Sequence, residues 1–227
     1  MRPTAAVIAL CLQLGASIPL VREVSAVGTG RCACGKVVDE FGHHYLTCNR
    51  RGMFTYRHDA VQDVLYEMLR KVLDPASVKR TYVYRRSYSP HWRPDITVLN
   101  FDGRGRHLGI DVAAGVPCAR THVDGAARVP LHTAAALERQ KAYTYGDIRP
   151  HRLVAFAVEA FGGLGGQAKQ LLRDCARRRQ DRMGPEMDSA TWSTPTFESY
   201  WGQRIMVALH GAQAFGLHGR ALEDYPQ

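Results

Sequence analysis

Arg93-Pro94-Asp95-Ile96-Thr97-Val98-Leu99-Asn100-Phe101-Asp102-Gly103-Arg104-Gly105-Arg106-His107-Leu108-Gly109-Ile110-Asp111-Val112-Ala113 is the stretch on which the fold turns. Asp95–Phe101 and Leu108–Ala113 read as two strands. Asp102-Gly103-Arg104-Gly105 between them is a hairpin turn signal. Asp111 is the sharper residue. It lies in the apolar run Leu108–Val116, where a charge is not expected without a partner. With Asp95 at the start of the other strand, the hairpin can bring two carboxylates together at one end or across its twist. Such a pair binds Mg²⁺ through oxygen. A metal held so lowers the pKa of a water and offsets charge on a scissile phosphate. The ordinary reading of each residue stands beside this. Asp95 follows a proline and can cap a turn, and Asp111 can pair with a surface arginine.

Outward from the hairpin, the pattern alternates between helix and strand. On the N-terminal side, Met53–Leu73 reads as a helix. Val61, Val64, Leu65, Met68, Leu69 and Val72 make its apolar face, and Asp74-Pro75 ends it. Thr81–Arg85 has strand alternation. On the C-terminal side, Leu131–Tyr145 reads as a helix with Ala134, Glu138, Lys141 and Tyr145 on one stripe. Leu153–Val158 is a continuous apolar run, as in a central strand. Gly166–Gln180 is amphipathic, with Ala168, Leu171, Leu172 and Cys175 inward. The order predicts an α/β fold: a mixed sheet flanked by helices. Met183–Thr196 reads as a linker and Trp201–Leu217 as a final helix.

Lys141 on the stripe after the hairpin can orient a water or offset phosphate charge near the carboxylates. Otherwise it is a solvated helix residue. His58 sits on the first helix, one turn before Val61, and most such histidines are satisfied core residues. Arg57 and His58 can instead reach a phosphate at the sheet edge. Asp63 and Glu67 fall on the opposite face and are not expected to hold metal.

Ahead of the first helix stands Cys32-Ala33-Cys34-Gly35, then Gly42-His43-His44-Tyr45-Leu46-Thr47-Cys48. Zinc takes four thiolate or imidazole ligands in a tetrahedron. Cys32 and Cys34 suit a tight turn, while His44 and Cys48, four apart, suit one helical turn. His43 is the weaker candidate. Four protein ligands predict a structural role. Free thiols beside surface histidines are the alternative. Cys11, Cys118 and Cys175 are scattered and read as small hydrophobes. The six cysteines are too few and too spread for a disulfide framework.

The first residues are mildly apolar. Ala5–Leu14 reads as a buried helix ended by Gly15, with Pro19 beyond. A weak secretory signal is the competing reading. Composition sets the remaining bounds. A hydrophobic share of 45% rules out wholesale disorder. Thirty Lys+Arg against 21 Asp+Glu leave +9, which suits a polyanion such as DNA, RNA or an anionic membrane. Arg50-Arg51, Arg85-Arg86, Arg93 and Arg177–Arg179 carry much of the surplus. Phosphate contact is expected from them, with binding that weakens steeply in salt.

These pieces together resemble a known family. Cys-x-Cys-Gly, Gly-His-His-x-Leu-x-Cys, Arg57-His58, Arg93-Pro94-Asp95-Ile96, Asp111-Val112-Ala113 and the Lys141–Tyr145 segment look like the region after the reverse transcriptase in some non-LTR retrotransposons. That region carries a zinc knuckle and a restriction-like endonuclease of the PD-(D/E)xK superfamily. The resemblance runs from about Cys32 to Gln180. It implies a four-stranded mixed sheet with flanking helices, and a nuclear enzyme that nicks target DNA with Mg²⁺ to prime reverse transcription. By it Asp95 and Asp111 hold Mg²⁺, and Lys141 is a displaced catalytic lysine, since Ala113 stands where a typical member has lysine. Cys32, Cys34, His44 and Cys48 hold structural zinc. Arg57, His58, Arg85, Arg86, Arg93 and Tyr145 contact DNA, and the element's RNA is a further partner. No membrane partner is expected. The expected divisions are a helical segment at 1–27, the zinc knuckle at 28–52, the nuclease core at 53–182, and a linker and helix at 183–227. The alternative to an active nuclease is an inactive zinc-containing nucleic-acid-binding remnant.

Overall fold

The computed structural model describes residues 3–27, 30–48, 50–80, 93–146, 151–183 and 194–224. The central hairpin forms where its pattern places it. Strands β2 (Ile96–Val98) and β3 (Leu108–Gly115) pair antiparallel, with Ile96 opposite Ile110 and Val98 opposite Leu108. Strand β1 (Val78–Lys79) joins the outer edge of β2, and β4 (Arg152–Glu159) runs parallel to β3. The result is a four-stranded mixed sheet in the order β1-β2-β3-β4. The first strand was expected at Thr81–Arg85, which lies outside the described residues. The β2 strand stops short of Phe101 because Asn100 turns the chain, at φ 49°.

Helices cover both faces, and side-chain size decides which. Ile96, Val98, Leu108, Ile110, Val112, Val154, Phe156 and Val158 form one cluster with α4 (Met53–Val72), α7 (Gly166–Met183) and α8 (Phe197–Asp224). Alternate strand positions point the other way, since successive side chains take opposite faces. Most of those on β3 and β4 are small (Gly109, Ala113, Gly115, Ala155, Ala157), and α6 (His132–Tyr145) packs against both strands. Gly115 shows how close: a Cβ there would stand 2.5 Å from Thr133 Cγ2. This approach sets α6, and with it Lys141, over β3. A four-residue helix, α5 (Val123–Ala126), precedes it.

The N-terminal part forms a second cluster, made by α1 (Pro3–Leu14), α2 (Pro19–Val27), the cysteine-rich segment, α3 (His43–Thr47) and the last turns of α8. Ile8, Leu12, Ile18 and Val21 are buried in it, while Val7, Leu10 and Leu14 are exposed, so α1 buries one face rather than the whole helix that its apolar residues suggest. No single helix among the described residues is long and apolar enough to cross a membrane. Pro19 starts α2 rather than merely following α1, because proline is well suited to a first helical position. The 28 residues of α8 reach well beyond the expected Trp201–Leu217. Its first half packs on the sheet through Trp201, Ile205 and Leu209, and its second half packs on the N-terminal cluster through Ala214, Leu217 and Ala221.

Candidate functional site

Two sites take shape around the first turns of α4. At its N-terminal side lies the Cys/His cluster. Cys32 and Cys34 sit on a short turn closed by Gly35, whose N–H donates to Cys32 O at 2.7 Å and whose φ of 85° suits glycine. His44 lies on α3 and Cys48 just past its end. Asp39 fixes this helix by accepting from the backbone N–H groups of His43 and His44 at 3.1 and 2.9 Å. The ligand atoms of Cys32, Cys34, His44 and Cys48 all lie within 4.8 Å of one another. His44 Nε2 and Cys34 Sγ are 3.2 Å apart. Three thiols and one imidazole fit a tetrahedral metal such as zinc, with no position left for substrate.

The local electrostatics suit the same use. Burial pushes the His44 pKa down, which keeps the ring neutral for ligation. The backbone N–H of Lys36 holds the Cys34 thiol below its usual range. Burial pushes Cys32 up, while Arg50 donates to its sulfur at 3.6 Å. His43 turns away, 3.3 Å from Asp39 and stacked on Phe41. The far end of α8 braces the cluster. Asp224 accepts from the Tyr45 hydroxyl at 2.9 Å and from Ala33 N–H at 3.2 Å. Its distance along the chain left no signal of this in local spacing.

The second site is the carboxylate hairpin. With Ile96 opposite Ile110, the antiparallel register carried one step further sets Asp95 opposite Asp111. Val112 N–H, next to Asp111, donates to Asp95 Oδ2 at 2.7 Å. The Asp95 carboxylate therefore lies against the Asp111 segment. The Asp111 side chain is 6% exposed. Lys141 Nζ reaches its Oδ1 at 2.8 Å, and the Tyr145 hydroxyl donates to its Oδ2. The same hydroxyl lies 3.4 Å from Arg93 O. Burial and then Asp111 push the Tyr145 pKa up, so the phenol stays protonated as a donor. From α4, His58 Nε2 meets Asp95 Oδ2 at 2.9 Å and Nδ1 meets Asp59 at 3.0 Å. The bond to Asp95 chiefly pushes the His58 pKa up to about 9, so the ring is cationic at neutral pH. A groove of about 700 Å³ is lined by Phe54, Thr55, His58, Ala113 and Lys141, among others. Arg93 is exposed beside it.

Several expected contacts need correction. Arg57 does not face a phosphate. It is 0% exposed and donates to Leu46 O at 2.9 Å, tying α4 to α3. The apolar stripe of α4 explains why: one turn back from Val61 is Arg57, with His58 at the edge. Tyr145 reaches Asp111 rather than an open surface. Arg178 stacks over Phe101 at the turn end of the hairpin, away from Asp95, and Arg177 pairs with Asp174 at 3.6 Å. These arginines do not crowd the carboxylates, because α7 carries them to the other end of the sheet. Glu67 is not simply solvated, since Arg204 on α8 grips both its oxygens at 2.9 and 2.8 Å. Arg85 and Arg86 lie outside the described residues.

The chain matches no protein-family model and no curated protein.

Proposed function

We propose that the chain is a Mg²⁺-dependent DNA endonuclease with a restriction-endonuclease-like core and a structural zinc knuckle. In this reading it derives from a non-LTR retrotransposon protein and works in the nucleus, nicking target DNA so that the exposed 3′ end primes reverse transcription. The observation that carries the reading is the juxtaposition of Asp95 and Asp111 across β2 and β3, with Lys141 Nζ 2.8 Å from Asp111.

The donor set fits a hard cation. Two carboxylates on adjoining strands offer oxygen ligands, which Mg²⁺ prefers. When bound, the metal would supply Lewis-acid charge and an activated water. The protein's own groups have separate work. Tyr145 orients the Asp111 carboxylate. Lys141, beside it, stabilises negative charge developing on a phosphate in the groove. His58, cationic through Asp95, and the exposed Arg93 attract the backbone. The surplus of +9 supplies the longer-range attraction to DNA, and to the element's RNA.

One observation favours the second reading, a nucleic-acid-binding remnant. Both oxygens of Asp111 and one of Asp95 already have protein partners. The experiment is incubation of supercoiled DNA with Mg²⁺, comparing wild type with Lys141→Ala. The nuclease reading expects open-circular product, slowed about 100-fold or more in the variant. DNA binding without any nicking would favour the remnant.

A further inference from the structure

Two glycines of α8 stand one turn apart, and packing explains only the first. At Gly216 a Cβ would meet Met53 Cε at 2.4 Å. At Gly219 nothing lies within 4 Å of that position. Glycine is among the poorest helix formers, so an interior glycine with open space beside it is unexplained by packing.

The space is a pocket of about 300 Å³ between the first turn of α4 and α8. Met53, Tyr56, Phe215, His218, Gly219 and Arg220 line it. Tyr56 and Phe215 are 50% and 68% exposed, with ring centroids 6.5 Å apart and edge to face. Arg220 is 3% exposed and donates through Nη1 to Tyr45 O at 2.6 Å. Its Nη2 has no hydrogen-bond partner among the described residues. That nitrogen is sealed from solvent, so the guanidinium lends the pocket wall positive charge rather than an open donor. The pocket thus offers aromatic surface, a glycine notch and the positive charge of a buried guanidinium in its wall. A flat heteroaromatic ring with acceptors on its edge matches all three.

Position narrows the ligand further. Met53 and Tyr56 line this pocket, while Phe54, Thr55 and His58 line the groove beside the carboxylates. The two cavities flank one helical turn. We propose that the pocket receives an unpaired nucleobase of a single strand that runs off the groove. This rests on the reading that the groove binds nucleic acid.

The test compares a blunt DNA duplex with the same duplex carrying a short unpaired DNA or RNA extension, by fluorescence anisotropy. A 2-aminopurine in the extension reports stacking. Wild type binds the tailed forms about tenfold more tightly than the blunt one, and the probe is quenched. Gly219→Leu fills the open space and Phe215→Ala removes an exposed ring, so neither disturbs the fold. Both abolish the increment and the quench, leaving blunt-duplex binding and nicking unchanged. Tyr56→Phe keeps the increment. The larger increment between the DNA and RNA tails identifies the strand. A wild type indifferent to the tail, or variants that keep the increment, overturn the pocket. Tail preference lost in Gly219→Leu without nicking by wild type upholds the pocket and removes the nuclease. Nicking without tail preference does the reverse.

Discussion

Lys141 on α6 donates to Asp111 on β3 at 2.8 Å. The two residues come from different elements, and a close helix-to-strand approach at Gly115 permits their contact. In the proposed nuclease reading, the pair supplies what Ala113 does not. That position follows Asp111 by two and shares its face of the strand, yet offers only a methyl. A lysine from α6 brings the cation instead. The same contact explains how Asp111 is accommodated in an apolar strand: a charge and a phenol share its two oxygens.

The Cys/His cluster predicts one zinc per chain. Cys34→Ser and His44→Ala should each lose it and lower the melting temperature sharply, because zinc binding in closed sites of this type contributes on the order of 10 kcal/mol to folding. His43→Ala should keep the metal, since His43 is held by Asp39 and Phe41. Metal content by a chromogenic chelator, with thermal melts, checks both. Zinc loss in His43→Ala with retention in His44→Ala would reverse the ligand assignment.

Burial of Arg57 predicts a stability effect without a binding effect. Its Nε and Nη2 have no hydrogen-bond partner among the described residues, and burial, then repulsion from Arg220, pushes its pKa down to about 10. Arg57→Met keeps volume while removing the buried charge, a change that is often neutral or stabilising. The melting temperature should hold or rise, and DNA affinity should not change. Affinity falling tenfold in a folded Arg57→Met protein would restore Arg57 as a phosphate contact.

His58 predicts how metal-free stability depends on pH. Its folded pKa of about 9 lies above the ordinary value of 6.5, so the folded state binds the proton more tightly. The contribution is complete below pH 6.5 and is lost as pH rises through 9. Chemical unfolding from pH 6 to 10 should show wild type losing stability over that window, with His58→Gln losing less. Identical slopes would mean that the Asp95 bond does not favour the cation.

Much of this was legible locally. The apolar run of β4, the turn glycines between β2 and β3, and the stripe of α4 each follow from side-chain period. His44 was separable from His43 because one helical turn aligns it with Cys48. What escaped has a physical reason. Arg57 reads as polar by type, although the stripe spaced from Val61 passes through it. The β1 strand has two residues, too few to show alternation. Pro19 can end one segment or begin the next. Asp224 and Arg204 act on the cysteine-rich segment and on Glu67 across most of the chain, and no local spacing encodes that.

In the proposed nuclease, Asp95 and Asp111 together hold the metal that cuts DNA. The direct measurement is the nicking rate of supercoiled DNA with Mg²⁺ for wild type and Asp111→Ala, after melts and zinc content show both folded. Wild type should give Mg²⁺-dependent open-circular product, and the variant should be slower by about 100-fold or more. Equal rates in the two proteins would contradict it.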